Sequence, residues 1–226
     1  MLLSHQKKFI FIHIPKTAGT SITGALVPYC RWIDRVLFGE SNASKAARKV
    51  IDVAGNRIKP ISRLGGFHKH AKAFQIRAGM DQALFDSYFK FAIVRDPYDL
   101  VVSMYFFLRQ DKYHPMHKDV VQMDFAQFVP FYLSSGPSIQ TDFLMDKDKK
   151  QLIVDYVGHF ETLAEDVQWI FERIGVAEDR GLTHKNPSVG RKGRSYRELY
   201  TADVRELVEN YYRSDFEELG YQYQRF

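Results

Sequence analysis

Cysteine is almost absent from this 226-residue chain, where Cys30 stands alone. That excludes an intramolecular disulfide and any Cys-x-x-Cys metal or redox motif, and it accords with a reducing compartment. Long apolar runs are missing near the N-terminus as well. The run at 9–14 holds six residues, against the ~20 that a bilayer-spanning helix needs. Lys7 and Lys8 ahead of it imitate the start of a signal peptide, but the run passes straight into Pro15 and Lys16, which argues against one. These absences predict a cytoplasmic protein with neither leader nor membrane span. Repeats, low-complexity tracts and linker-like segments are lacking too. The expected organisation is one domain over residues 1–226, with a helical insertion at 29–65 and a basic loop at 181–195. Charge of one sign is scarce, since 32 Lys and Arg against 27 Asp and Glu leave only +5. Such an excess suits an anionic ligand and falls short of a nucleic-acid footprint.

Also missing from the loop after the first strand is the nucleoside-triphosphate fingerprint G-x-x-x-x-G-K-[ST]. In its place residues 9–27 read F-I-F-I-H-I-P-K-T-A-G-T-S-I-T-G-A-L-V. Phe9 to Ile14 is a β-forming run of strand length, and Pro15 ends it. Gly19 occupies the turn where a side chain would block close backbone approach. Ser21 to Val27 reads as a helix whose free N–H groups and dipole favour an anion at its start. Lys16 adds a mobile charge. Lys precedes the glycine here and the loop is about two residues shorter than the triphosphate pattern.

A second strand, Phe89 to Arg95, runs into Asp96 as N-cap and Pro97 at the first helical position. The helix that follows carries Leu100, Val101, Met104, Tyr105 and Leu108 as its core stripe. Further helices are expected at Ala71–Ala78, Asp81–Tyr88, Asp124–Leu133, 196–212 and 214–219. A third strand is expected at Leu152–Val157. Thr162 and Glu165 form the pattern of a capping box opening a helix through Ile174, which Gly175 closes. Three strand-to-helix steps imply an α/β fold, a mostly parallel sheet flanked by helices. Ligands of such sheets bind beyond the carboxyl ends of the strands, where Lys16 and Arg95 both fall and can share one ligand.

These residues resemble the sulfotransferases that use 3′-phosphoadenosine 5′-phosphosulfate (PAPS). P-K-T-A-G-T-S at 15–21 resembles their 5′-phosphosulfate loop, and R-D-P-Y-D-L-V-V-S at 95–103 resembles their 3′-phosphate motif. V-G-H-F-E-T-L-A-E-D at 157–166, S-I-Q-T-D-F-L at 138–144 and D-F-E-E-L-G-Y at 215–221 are similar to the membrane-type carbohydrate sulfotransferases and their soluble bacterial relatives. The resemblance implies a P-loop-like three-layer fold and PAPS as donor, with Lys16, Thr17, Ala18, Gly19, Thr20 and Ser21 on the 5′-phosphosulfate. Arg95 and Ser103 would hold the 3′-phosphate. Lys16 would also act catalytically, on the charge growing at the bridging oxygen. A sulfuryl group carries less negative charge than a phosphoryl group, so no metal is expected. The implied acceptor is a hydroxyl of a carbohydrate or glycoconjugate.

A general base must take that hydroxyl's proton, and histidine titrates in the right range. Uronyl 2-O-sulfotransferases carry a similar H-x-H ahead of their second motif, which points to His70 as base and His68 as its neighbour, with Glu161 as a fallback. Gly190-Arg191-Lys192-Gly193 resembles the segment with which cytosolic sulfotransferases close over the 3′-phosphate; a solvated basic loop is the other reading. A zinc site from His68, His70, His114 and His117 lacks a closed ligand set. Two rival functions stay open at this point: a Mg²⁺-dependent nucleotide kinase or NTPase, and a non-catalytic module binding phosphoadenosine or anionic glycans.

Overall fold

The computed structural model describes residues 1–31, 69–176 and 195–224. In chain order they form β1 (Leu2–Ser4), β2 (Phe9–Ile12), α1 (Gly19–Leu26), α2 (Ala73–Gly79), α3 (Gln82–Ser87), β3 (Phe89–Val94), α4 (Pro97–Gln110), α5 (Phe125–Ser134), β4 (Tyr156–His159), α6 (Leu163–Arg173), α7 (Ala202–Tyr211) and α8 (Arg213–Glu218). Single helical turns lie at His117–Val120 and Thr141–Leu144. The chain divides into two compact units, Met1–Val94 with Asp142–Thr183, and Arg95–Thr141 with His184–Phe226.

The first unit is built on a four-stranded sheet in the order β1-β2-β3-β4. β2, β3 and β4 run parallel and β1 pairs antiparallel with β2. This is the expected α/β arrangement of a mostly parallel sheet with helices. Phe9, Phe11, Phe91 and Ile93 lie buried with Ile22 and Leu26 of α1 and with Leu163, Val167, Ile170 and Phe171 of α6. The α6 residues recur at i, i+4, i+7 and i+8, the apolar stripe of a helix that covers a sheet. Alternate strand residues Ile10, Ile12, Ala92 and Val94 are equally buried. Burial on both faces explains why these strands read as continuous apolar runs rather than alternating ones.

Three local expectations are corrected. β1 was not anticipated, because three residues carry almost no periodic signal. The last strand lies at Tyr156–His159 instead of Leu152–Val157. Leu152 makes only an isolated bridge with Met145. Asp155 precedes the ladder, and its carboxylate accepts from the Lys90 N–H and sits 2.9 Å from the Lys90 ammonium. The capping box at Thr162 and Glu165 is not made. A turn of 3₁₀ helix at Phe160–Thr162 leads into α6, so Thr162 lies at φ −116°, ψ 33° instead of extended. Its hydroxyl donates to Asp166, which also accepts from the His159 N–H and the Tyr156 hydroxyl. Gly175 closes α6 at φ +63°, as its position implies.

The second unit is helical among the described residues. Asp96 caps α4 by accepting from the Tyr98 N–H at 2.8 Å, and Pro97 opens it. α5 starts with a capping box between Asp124 and Gln127. The core joins Tyr98, Val101, Tyr105 and Leu108 of α4 to Phe128 of α5 and Val208 of α7, with Tyr212 and Phe216 beside them. No helix among the described residues is long and apolar enough to cross a membrane.

Candidate functional site

The turn after β2 has an unusual backbone. Lys16 and Ala18 take left-handed conformations, at φ 66° and 64°, which cost about 1–2 kcal/mol each for a residue with a Cβ. Left-handed residues within a turn bring successive N–H groups to one side, the geometry of an anion nest. Ala18 is the N-cap of α1 and offers no side-chain cap. Its carbonyl accepts from both Ser21 and Ile22, so the Gly19 and Thr20 N–H groups lack an intrahelical acceptor. No acidic residue lies in this first turn to offset the helix dipole. The Thr17 hydroxyl is buried and donates to the Ile14 carbonyl at 3.1 Å, bracing the turn from inside. Thr20 is exposed, and Lys16 and Ser21 are half-buried.

His13, which sequence reading passed over, decides why residue 19 is glycine. A Cβ at Gly19 would stand 2.1 Å from Cδ2 and Nε2 of the His13 ring. The ring is 3 % exposed, stacks on Phe11 at 5.7 Å between centroids, and meets the His70 ring edge-on at 4.9 Å. Its Nδ1 is buried without a hydrogen-bond partner. Burial above all, with the nearby positive charges of the N-terminal amine and Lys69, pulls its pKa down to about 2. His13 is therefore a neutral ring wedged between the helix start and His70.

His70 Nδ1 lies 2.9 Å from the His13 carbonyl. A carbonyl only accepts, so Nδ1 carries the proton and the neutral ring keeps its lone pair on Nε2. Two residues on, the Lys72 ammonium sits 3.3 Å from Asp142, whose other carboxylate oxygen meets Lys149 at 2.6 Å. Burial raises the Asp142 pKa, but the two lysines outweigh it and hold the carboxyl below its ordinary range. The segment bearing His70 is thus tied down on both sides.

In the second unit Arg95 is 6 % exposed, and its Nε and Nη2 reach one carboxylate oxygen of Asp99 at 2.8 and 2.7 Å. Ser103, also buried, lies four residues after Asp99 and so one turn along the same face of α4. Sequence reading missed Asp99, although an Arg and an Asp four apart at a helix start is a pattern it could have used.

Of the sequence-predicted site residues, Lys16, Thr17, Ala18, Gly19, Thr20 and Ser21 form one continuous turn, and His70 joins it through His13. Arg95 lies just before the N-cap of α4 and Ser103 in the second turn of that helix. His68, Arg191 and Lys192 lie outside the described residues, as do residues 32–65 of the helical insertion read at 29–65. The fallback Glu161 sits in the 3₁₀ turn before α6. His114 Nδ1 accepts from the Met116 N–H and His117 Nδ1 donates to the Leu108 carbonyl, so local turns use both rings. Among the described residues no group of three or more His, Cys, Asp or Glu side chains is arranged to hold a metal ion.

The chain is similar to known proteins along nearly its whole length. A protein of Archaeoglobus fulgidus described as uncharacterized is 32% identical over 111 residues, which span 47% of this chain and 84% of that protein. The sequence model of the family described as "Sulfotransferase family" matches residues 1–222. A nest at a helix start with a lysine in it, and an arginine held at the head of the next strand-to-helix step, suit the chemistry which that match implies: the chain belongs to the sulfotransferase family and is a transferase of sulfuryl groups.

Proposed function

We propose that the protein transfers the sulfuryl group of PAPS to a hydroxyl of a carbohydrate or glycoconjugate. The observation that carries the reading is the turn at Pro15–Ser21, where two left-handed residues, Lys16 and Ala18, stand beside helix-start N–H groups that lack an intrahelical acceptor. A phosphosulfate fits that donor set: a nest and a helix start bind tetrahedral anions through N–H groups, and a Cβ at residue 19 would destroy the close packing behind it. PAPS supplies a sulfuryl group on a good leaving group.

This chain's residues do the rest. The Gly19 and Thr20 N–H groups, with the Thr20 and Ser21 hydroxyls, bind and orient the 5′ end of the donor. Lys16 stabilises negative charge on the bridging oxygen. His70 accepts the acceptor's proton at Nε2, the nitrogen that its bond to the His13 carbonyl leaves basic. In the second unit, Arg95 and Ser103 take the 3′-phosphate, the guanidinium by charge-assisted hydrogen bonds. Acidic metal ligands play no part in this scheme.

Calorimetric titration with adenosine 3′,5′-bisphosphate, with AMP, and with ATP plus Mg²⁺ tests the donor assignment. Tight metal-independent binding of the bisphosphate and much weaker binding of AMP are expected. Binding that needs Mg²⁺ and favours ATP overturns the reading in favour of a nucleotide kinase. Bisphosphate binding with no sulfuryl transfer to any of a panel of saccharides leaves a binding module instead.

A further inference from the structure

Two stretches that resemble the family, at 138–144 and 215–221, meet around one buried carboxylate in the second unit. Asp215 is 0 % exposed, and Gln140 and Thr141 are each 1 % exposed. The Asp215 carboxylate accepts four hydrogen bonds. Oδ2 takes the Gln140 N–H at 2.9 Å and the Gln140 Nε2 at 3.2 Å. Oδ1 takes the Thr141 N–H at 2.8 Å and the Thr141 hydroxyl at 2.9 Å. No cation is among these partners. The carboxylate is held wholly by donors from one dipeptide.

The other end of Gln140 grips Arg95. Its Oε1 accepts from the Arg95 N–H at 2.8 Å, and its Nε2 donates to the Arg95 carbonyl at 2.8 Å. β3 ends at Val94, so Arg95 has left the ladder and its buried peptide groups need new partners. The Gln140 carboxamide satisfies both, as a neighbouring strand would. Asp215 saturates the second Nε2 proton, which fixes the amide's orientation. The guanidinium is held separately by Asp99.

We propose that Asp215 and Gln140 are positioning residues for the phosphate-binding arginine, setting the backbone from which the Arg95 side chain reaches the 3′-phosphate. The inference rests on the assignment of Arg95 to the 3′-phosphate. Pairing those two peptide groups also serves stability; what ties the clamp to binding is that the residue it holds, by both its N–H and its carbonyl, is Arg95. Displacing a binding group by about 1 Å can cost about 10²-fold at a site, so slackening this clamp costs selectivity even where the fold survives.

The test measures binding of adenosine 3′,5′-bisphosphate and of AMP, together with thermal melting. Wild type, Gln140→Met, Gln140→Asn and Thr141→Val are compared, each also in an Arg95→Ala/Asp99→Ala background. In Gln140→Met and Gln140→Asn the preference for the bisphosphate falls by about tenfold or more, with AMP binding unchanged. Neither substitution changes the preference further once Arg95 is gone. Thr141→Val, which loses a bond to Asp215 but touches nothing at Arg95, lowers the melting temperature and keeps the preference. A folded Gln140 variant with the wild-type preference overturns the proposal. So does a loss that persists without Arg95, or the failure of both Gln140 variants to fold, since the pair is then a folding element. A wild type with no preference for the bisphosphate defeats the donor-site assignment itself, which is a separate result.

Discussion

In the proposed reading, the Pro15–Ser21 turn and the Arg95 segment are two ways of presenting positive potential to an anion. The turn does it with backbone. Its donors are N–H groups at a helix start, its conformation is strained at Lys16 and Ala18, and a histidine nitrogen is left unpaired behind it. The Arg95 segment does it with a side chain on a hydrogen-bonded frame, in which Gln140 meets both Arg95 peptide groups, Asp99 the guanidinium, and Asp215 the Gln140 and Thr141 donors. Backbone sites must be small and strained because the ligand approaches the main chain itself. The Arg95 site is built on a buried side chain whose guanidinium Asp99 holds in place.

The contrast can be broken from either side. The largest effect is expected from Arg95→Ala, which strands the buried Asp99 carboxylate. Removing one partner of a buried pair costs about 3–5 kcal/mol, and the melting temperature should fall accordingly. Arg95→Ala/Asp99→Ala should recover part of that loss without restoring selectivity for the 3′-phosphate. If the single variant melts as wild type does, the pair is not the buried anchor described above.

Lys16→Ala tests the turn from the catalytic side. Loss of a group that stabilises transition-state charge costs about 10²–10³-fold in turnover, with bisphosphate binding weakened far less and melting nearly unchanged. Lys16→Gly sharpens the point. Glycine relieves the left-handed strain, so this variant should be as inactive yet more stable, by about 1 kcal/mol. A Lys16→Gly protein that is less stable than Lys16→Ala would mean that the strain is not there.

Gly19→Ala forces a methyl into the His13 ring, and overpacking of this kind costs about 1–3 kcal/mol. His13→Ala makes room, so the double variant should be more stable than the sum of the two single losses predicts. Additive losses would place the cost of Gly19→Ala elsewhere.

The smallest effect is in pH dependence. His13 stays neutral when folded, with a pKa near 2, while the unfolded chain titrates near the ordinary 6.5. The unfolded state therefore binds the extra proton, and stability falls as pH drops below 6.5, with a limiting slope of about 1.4 kcal/mol per pH unit. Denaturant melts of wild type and His13→Phe from pH 7 to pH 4 should show the slope in wild type and its reduction in the variant. Equal slopes would mean that His13 takes up its proton in the folded protein.

Much of this was legible beforehand because it is written locally. The apolar runs of β2 and β3, the Asp96-Pro97 start of α4, the α5 helix through Pro130 and the glycine stop at Gly175 each follow from a few adjacent residues. β4 was misplaced because Leu152–Val157 is as apolar as a strand, and what sets its start is Asp155 meeting Lys90, 65 positions away. The capping box failed because the 3₁₀ turn at Phe160–Thr162 takes Thr162 out of the extended N-cap conformation. The first error comes from a distant partner that a local pattern does not contain, the second from a backbone turn that the pattern does not specify.

By itself the sequence determined the chemistry on offer: a lysine and a glycine in a tight turn before a helix, an arginine at a strand end, and histidines in a short polar segment. Neighbour-to-neighbour spacing suffices for that, because turns, caps and strand ends are made over a few residues. Only the tertiary structure decided which nitrogen of His70 is basic, why residue 19 has no side chain, and that Gln140 and Asp215 brace Arg95 from 45 and 120 positions away. Those are properties of burial and directional hydrogen bonding, which exist only once distant parts of the chain have been brought within about 3 Å of one another.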